Sequence, residues 1–347
     1  MRMKTIRLLA AVILLTVCAA AFTYAGAETM SFRNVSAAQK YVRENQPMEL
    51  TLEDVKFKPT ELLSIKAELP EGAVFHFTTK WGKIQFSDET TELDLSQRKN
   101  VTASDLDAIA QICPNIKMID SSRTYIGNAK MIALIEKYPD IQFEWKIYLG
   151  KSHYITTKAT AYSTFNEIGN GKQLTSEDLE LLRYCPRLKA LDLGHNNIKN
   201  LEFLKYVPDL ELLIVGHNYI TDITPLGQLK HLQYLEIFLN KFTDLTPLSN
   251  CHELLDVNLT ATSIDDLTAL DDITTIERLV VNMCKYLPKE SVEHFKELHP
   301  TCEVDYKPSH SATNTEKPWR KHPRYKHYIW CLKNQTWIPF NEPLPTK

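Results

Sequence analysis

The sequence predicts an α/β solenoid, a curved parallel sheet built from 22-residue units behind a helix-containing cap of degenerate units. Three observations predict it. Apolar residues recur at fixed places in each unit, one polar residue recurs among them, and helix-like lead-ins precede the short apolar stretches. The apolar register runs Leu188, Leu210, Leu232, Leu254, Ile276 at the first position. The fourth reads Leu191, Leu213, Leu235, Val257, the sixth Leu193, Val215, Ile237, Leu259, and the eleventh Ile198, Ile220, Phe242, Ile264. Three further positions, beginning at Leu201, Leu204 and Val207, stay apolar through four consecutive units in a chain that is 44% hydrophobic. Independent placement would give such a set about once in ten billion trials.

The stretch "LKALDLGHNNIKNL" matches L-x-x-L-x-L-x-x-N, and over residues 173–287 the chain resembles leucine-rich repeat proteins of the short, internalin-like bacterial type. Each unit is then a short strand plus a turn whose apolar side chains need a neighbouring unit to hide them from water. At about 1.5–3 kcal/mol per buried aliphatic side chain, seven per unit suffice to hold neighbours together. The recurring polar residue pairs backbone amides that the tight coil turns inward, since an unpaired buried amide costs about 1–3 kcal/mol. The expected ladder is Asn196, Asn218, Asn240, Thr262 and Cys284, looser toward its C-terminal end.

Upstream, "LPEGAVFHFTTKWGK" and "YPDIQFEWKIYLGK" align on Pro70 with Pro139 and Gly82 with Gly150. The stretches 102–117 and 175–189 each place Thr or Ser before acidic residues, a helix-start pattern followed by an apolar face. Short strands are expected at 50–52, 93–95 and 117–119. Residues 28–172 therefore read as an N-terminal α/β cap, 173–305 as the repeat domain, and 306–347 as a linker and tail.

Arg2, Lys4 and Arg7 precede an uncharged run, and Ala25-Gly26-Ala27 supplies a small-x-small pattern, so residues 1–27 read as a signal peptide cleaved after Ala27. A retained anchor and lipidation at Cys18 are the competing readings. Losing those three cations moves the net charge from −3 to −6, which does not suggest nucleic acid. Cys185 and Cys251 stand in register with Val207, Leu229 and Ile273, and Cys113 reads likewise as a core residue. Only the Cys302–Cys331 pairing stays open.

From Lys307 onward the tail carries a net charge of +6 and the aromatics Trp319, Tyr325, Tyr328, Trp330, Trp337 and Phe340. Such a segment could hold wall polymer or a membrane surface, or its aromatics could dock on the last repeat. Its "PWRKHPRY" phrase resembles the tail of secreted leucine-rich repeat proteins from anaerobic gut bacteria, which implies an extracytoplasmic location.

No H-E-x-x-H, G-x-S-x-G, P-loop, C-x-x-C or dinucleotide fingerprint occurs, and Ser96-x-x-Lys99 lacks its companion motifs. No catalytic residue, cofactor or metal is expected. Asp265, Asp266, Asp271 and Asp272 match no calcium loop. Variable positions facing the concave side place Leu212, Ile214, Tyr234, Phe238 and Leu239 together, rimmed by Asp192, Glu236 and Asp256. Nothing in the fold requires those five to be apolar, so they predict an exposed contact patch for a protein partner, unless the cap or the tail folds over it. His195 and His217, one repeat apart, join that surface as rim residues, a pH-sensitive contact or a metal pair. The favoured reading is a secreted or cell-surface, non-enzymatic recognition protein, and the alternative is an envelope-associated protein held by its tail.

Overall fold

The computed structural model describes residues 29–164, 174–307 and 318–345; the expected leader, Cys18 and most of the linker lie outside them. The chain divides into two compact units, one comprising the described residues up to Phe57 with Ser64–Asp88, the other Lys58–Leu63 with Glu89 onward.

In the first unit β1 (Thr29–Met30), β2 (Glu49–Val55), β3 (Val74–Trp81) and β4 (Ile84–Ser87) form one sheet in that order. Helix α1 (Val35–Asn45) links β1 to β2, and Asn34 caps it by accepting the Ala37 amide at 2.9 Å. Helix α2 (Pro59–Lys66) follows β2 in sequence. The two-residue turn between β3 and β4 puts Gly82 at φ 68°, a conformation that disfavours a side chain.

The second unit begins with β5 (Glu92–Asp94), α3 (Ala103–Ile112), β6 (Met118–Asp120), α4 (Asn128–Lys137) and β7 (Gln142–Glu144), whose strands pair in parallel. Thr102 and Asp105 close a capping box at the start of α3, as the Thr-x-x-Asp spacing implies. A hairpin of β8 (Lys146–Leu149) and β9 (His153–Thr156) turns at Gly150, φ 55°. The aligned glycines of the sequence thus occupy equivalent left-handed turn positions.

Seven parallel strands then form the main sheet: β10 (Ala161–Ser163), β11 (Ala190–Asp192), β12 (Leu212–Ile214), β13 (Tyr234–Glu236), β14 (Asp256–Asn258), β15 (Arg278–Val280) and β16 (Glu303–Asp305). From β11 to β15 the register pairs residues 22 apart, such as Leu191 with Leu213 and Leu213 with Leu235. The sheet starts at β10, upstream of the boundary at 173 drawn from the sequence, because Ala161–Ser163 pair with Ala190–Asp192. On the convex side run 3-10 segments, two of them opened by Pro225 and Pro247. The stretch expected to start a helix after Thr175 is also 3-10, Glu177–Tyr184. Among the described residues of these coils, only the last carries an α-helix, α5 (Lys289–Leu298), which lengthens the step from Arg278 to Glu303. The inward set from Leu188 to Ile273 is buried, Cys185 and Cys251 included. All six described cysteines are free, so Cys302 and Cys331 are unbridged.

The chain then turns back as α6 (Pro318–Lys321) and α7 (Pro323–Asn334).

Candidate functional site: the concave groove

Concave geometry starts with the ladder. Asn218 accepts the Ile198 amide at 3.0 Å and donates to the carbonyls of Leu193 and Val215, each at 3.0 Å. Asn196 and Asn240 repeat the pattern one coil away on either side. Farther along, the Thr262 hydroxyl donates to Leu259 O at 2.8 Å, and the Cys284 sulfur lies 3.2 Å from the same carbonyl. The coils have the leucine-rich repeat fold. Strand register and side-chain ladder together are the leucine-rich repeat coil, and they set what each residue on the concave side can face.

No protein-family model matches the sequence, and no curated protein matches it. Among solved structures, internalin C2 from Listeria monocytogenes shares 17% identity, with 72% of this chain and 92% of that one covered at a TM-score of 0.36. A second Listeria monocytogenes internalin, InlF, shares 16% over 74% and 69%, with a TM-score of 0.37. A Leptospira interrogans leucine-rich repeat protein shares 14% over 78% and 68%, with a TM-score of 0.29.

Just ahead of each ladder residue the coil requires a left-handed backbone: His195, His217, Leu239, Ala261 and Met283 have φ between 53° and 61°. Non-glycine residues tolerate this at a cost of order 1–3 kcal/mol, offset here by an amide bond to the next coil. His195 N donates to Gly216 O at 2.9 Å, and His217 N to Phe238 O at 2.7 Å. The same geometry sets the imidazoles of His195 and His217 edge to face, Nδ1 to Nδ1 at 2.7 Å, so one nitrogen donates to the other. Burial first, then His217 and Arg320, hold His195 below the ordinary imidazole value. Among the described residues, no group of three or more potential ligands could hold a metal ion. His217 and Leu239 are exposed, while His195 and Phe238 are half-buried.

The contact patch expected from the sequence is only partly at the surface. Leu212 and Tyr234 are completely buried, Ile214 nearly so, and they form one cluster with Trp319, Tyr328, Cys331, Leu332 and Trp337 of the tail. The tail therefore crosses the concave face instead of docking only on the last repeat. Its aromatics supply the cover: the Tyr234 ring lies 4.9 Å from Tyr328 and 5.6 Å from Trp319.

The acidic rim is corrected in the same way. Asp192, Glu236 and Asp256 are buried, at 5%, 7% and 0% exposure, so they are anchors and not solvated edges. Glu236 Oε1 accepts from Tyr234 OH at 2.6 Å, Trp319 Nε1 at 3.1 Å and Tyr328 OH at 3.2 Å. Asp256 receives Arg324 through both oxygens, at 2.6 and 2.9 Å, and Arg278 Nε at 2.6 Å. Arg324 also reaches Glu277 at 2.6 Å, and the Arg278 guanidinium lies 4.4 Å over the Trp319 ring. At the far end the Gln335 carbonyl accepts the Thr160 and Ala161 amides of the β10 edge, while Trp337 Nε1 donates to Glu211 at 2.8 Å. Arg278, Trp319, Arg324, Tyr328 and Trp337 were not among the expected site residues. A clue was present: a +6 tail beside a face holding three carboxylates and an apolar patch.

Asp192 reports on this cover. It accepts Ser163 Oγ at 2.7 Å and the Gly194 amide at 3.1 Å. Burial, aided by the charge of Glu236, nevertheless pushes its carboxyl up to about 6 from 3.8. A carboxyl raised on folding stabilises the fold fully below about pH 4, and that contribution is lost as pH rises through about 6. We expect wild type minus Asp192→Asn stability to fall by roughly 3 kcal/mol between those limits, read from urea unfolding at several pH values. A flat difference would show that Asp192 is hydrated.

Proposed function

We propose that this is an extracytoplasmic, non-enzymatic recognition protein that binds another protein along its concave face, with its own tail as the resident ligand of that groove. The observation that carries the reading is the tail itself: a segment of two short helices seated on the sheet by five directed bonds, to Glu236, Asp256 and Glu277. A surface that holds one peptide segment in this way is built for peptide recognition. Leu212, Ile214, Tyr234 and Glu236 would meet the partner once the tail lifts, beside Asp192. His195, His217, Phe238 and Leu239 flank that contact. The proposed leader would place the protein outside the cytoplasm, and among the described residues no helix is long and apolar enough to cross a membrane.

The alternative, a tail that grips wall polymer or membrane, is less well supported, because the tail's main aromatics are spent on the groove. Its Lys321, Lys326 and Lys333 do remain exposed. The test compares pull-down of surface proteins by the wild-type chain, by Trp319→Ala with a loosened tail, and by Trp319→Ala carrying Leu212→Arg and Ile214→Arg. Capture should rise in the second and vanish in the third. Capture that ignores the groove substitutions would place recognition elsewhere.

A further inference from the structure

Resting on the reading of the groove as a recognition site, we infer that its partner is a helical protein segment presenting a cationic fork opposite Asp256 and indole or phenol donors opposite Glu236. The reason is electrostatic. Both carboxylates are buried, and the tail supplies two of the donors on Glu236 and one of the two guanidinium groups on Asp256. A competitor that covered the same face without such donors would leave carboxylates desolvated and short of partners, a penalty that offsets much of what its apolar contacts gain. An apolar or acidic ligand is thereby disfavoured, although the patch around Leu212, Ile214 and Tyr234 would welcome it by area alone. Selectivity comes from the floor of the groove. The tail gives the pattern to match: tryptophan at 319 on one short helix and, past the break at His322, arginine at 324 and tyrosine at 328 on the next. The apolar walls then take whatever lies between those three.

The probe is a fluorescein-labelled, alanine-rich peptide that carries Trp, Arg and Tyr at those spacings and keeps the His-Pro break between Trp and Arg, beside a control with Glu in place of Arg. Each is titrated by anisotropy against the full-length chain and its Arg324→Ala variant, with Trp319→Ala as the second loosened variant should the first fold poorly. The patterned peptide should bind the loosened chains at least about tenfold more tightly than the control, and the wild-type chain at least about tenfold more weakly than the loosened ones. Equal binding of control and patterned peptide to a loosened chain would overturn the inference while leaving the groove as a binding site. If neither binds although tryptophan emission reports a lifted tail, the concave-face reading itself fails, and the inference with it. Should the loosened chains dimerise, and a peptide of residues 318–345 dissolve the dimer, the occupant is a second copy of this chain and a foreign partner is excluded.

Discussion

Asp256→Ala should destabilise the protein by about 3–5 kcal/mol and free the tail, the largest single effect expected in this molecule. Asp256 is wholly buried and neutralises two guanidinium groups at once, Arg278 with a side chain 6% exposed and Arg324 at 15%. Removing the carboxylate leaves Arg278 without an anionic partner beneath Trp319, where its Nη2 already has no hydrogen-bond partner among the described residues. Arg324 fares better, because Glu277 at 58% exposure can follow it toward solvent. The cost therefore belongs mainly to Arg278. Replacing Asp256 and Arg278 together by leucine should recover most of the loss, since apolar side chains of similar volume substitute well for a buried ion pair. Urea unfolding of both single variants and the double variant, followed by tryptophan emission, gives the comparison. A single variant within 1 kcal/mol of wild type would mean that the pair is solvated.

Asn218→Ala should cost about 3 kcal/mol, and Thr262→Ala about 1. The asparagine is 5% exposed and uses both ends of its amide: its oxygen satisfies the Ile198 amide, while its nitrogen serves carbonyls of two successive coils. Alanine would strand the Ile198 amide where water cannot reach and take one donor each from Leu193 O and Val215 O, which keep Asn196 and Asn240. Thr262 donates once to a carbonyl, Leu259 O, which the Cys284 sulfur also approaches, so its loss is partly covered. Thermal unfolding of the two variants tests the gradient, and equal losses would show that the ladder contributes evenly along the stack.

What could be read from the sequence is what repeats. Leu191, Leu213 and Leu235 announce their burial by recurring, and the ladder residues do so by interrupting an apolar run at a constant distance. The capping box at Thr102 and the turn at Gly82 were legible because they are local, carried by a few adjacent residues. The tail's destination has neither property. Trp319 and Tyr328 meet Glu236 across 83 and 92 residues of chain, and no period connects them. Carboxylates are almost never fully buried unless paired, so Asp256 read as a solvated edge until Arg324 was placed beside it. The register put Leu212, Ile214 and Tyr234 on one face but could not give their burial, because a pattern tells which way a side chain points and not what comes to meet it.

One consequence concerns how the coils come apart. Stacked repeats touch only their neighbours, and such arrays fray from their termini, each coil lost nearly on its own. Here the segment ending in Gln335 and Trp337 is drawn from the sixth strand of the arc to the first, like the string of a bow. An arc strung in this way can peel only at its seventh strand, and its first six have no freedom to flatten. Its opening and its curvature become a single event, set by whether the string holds.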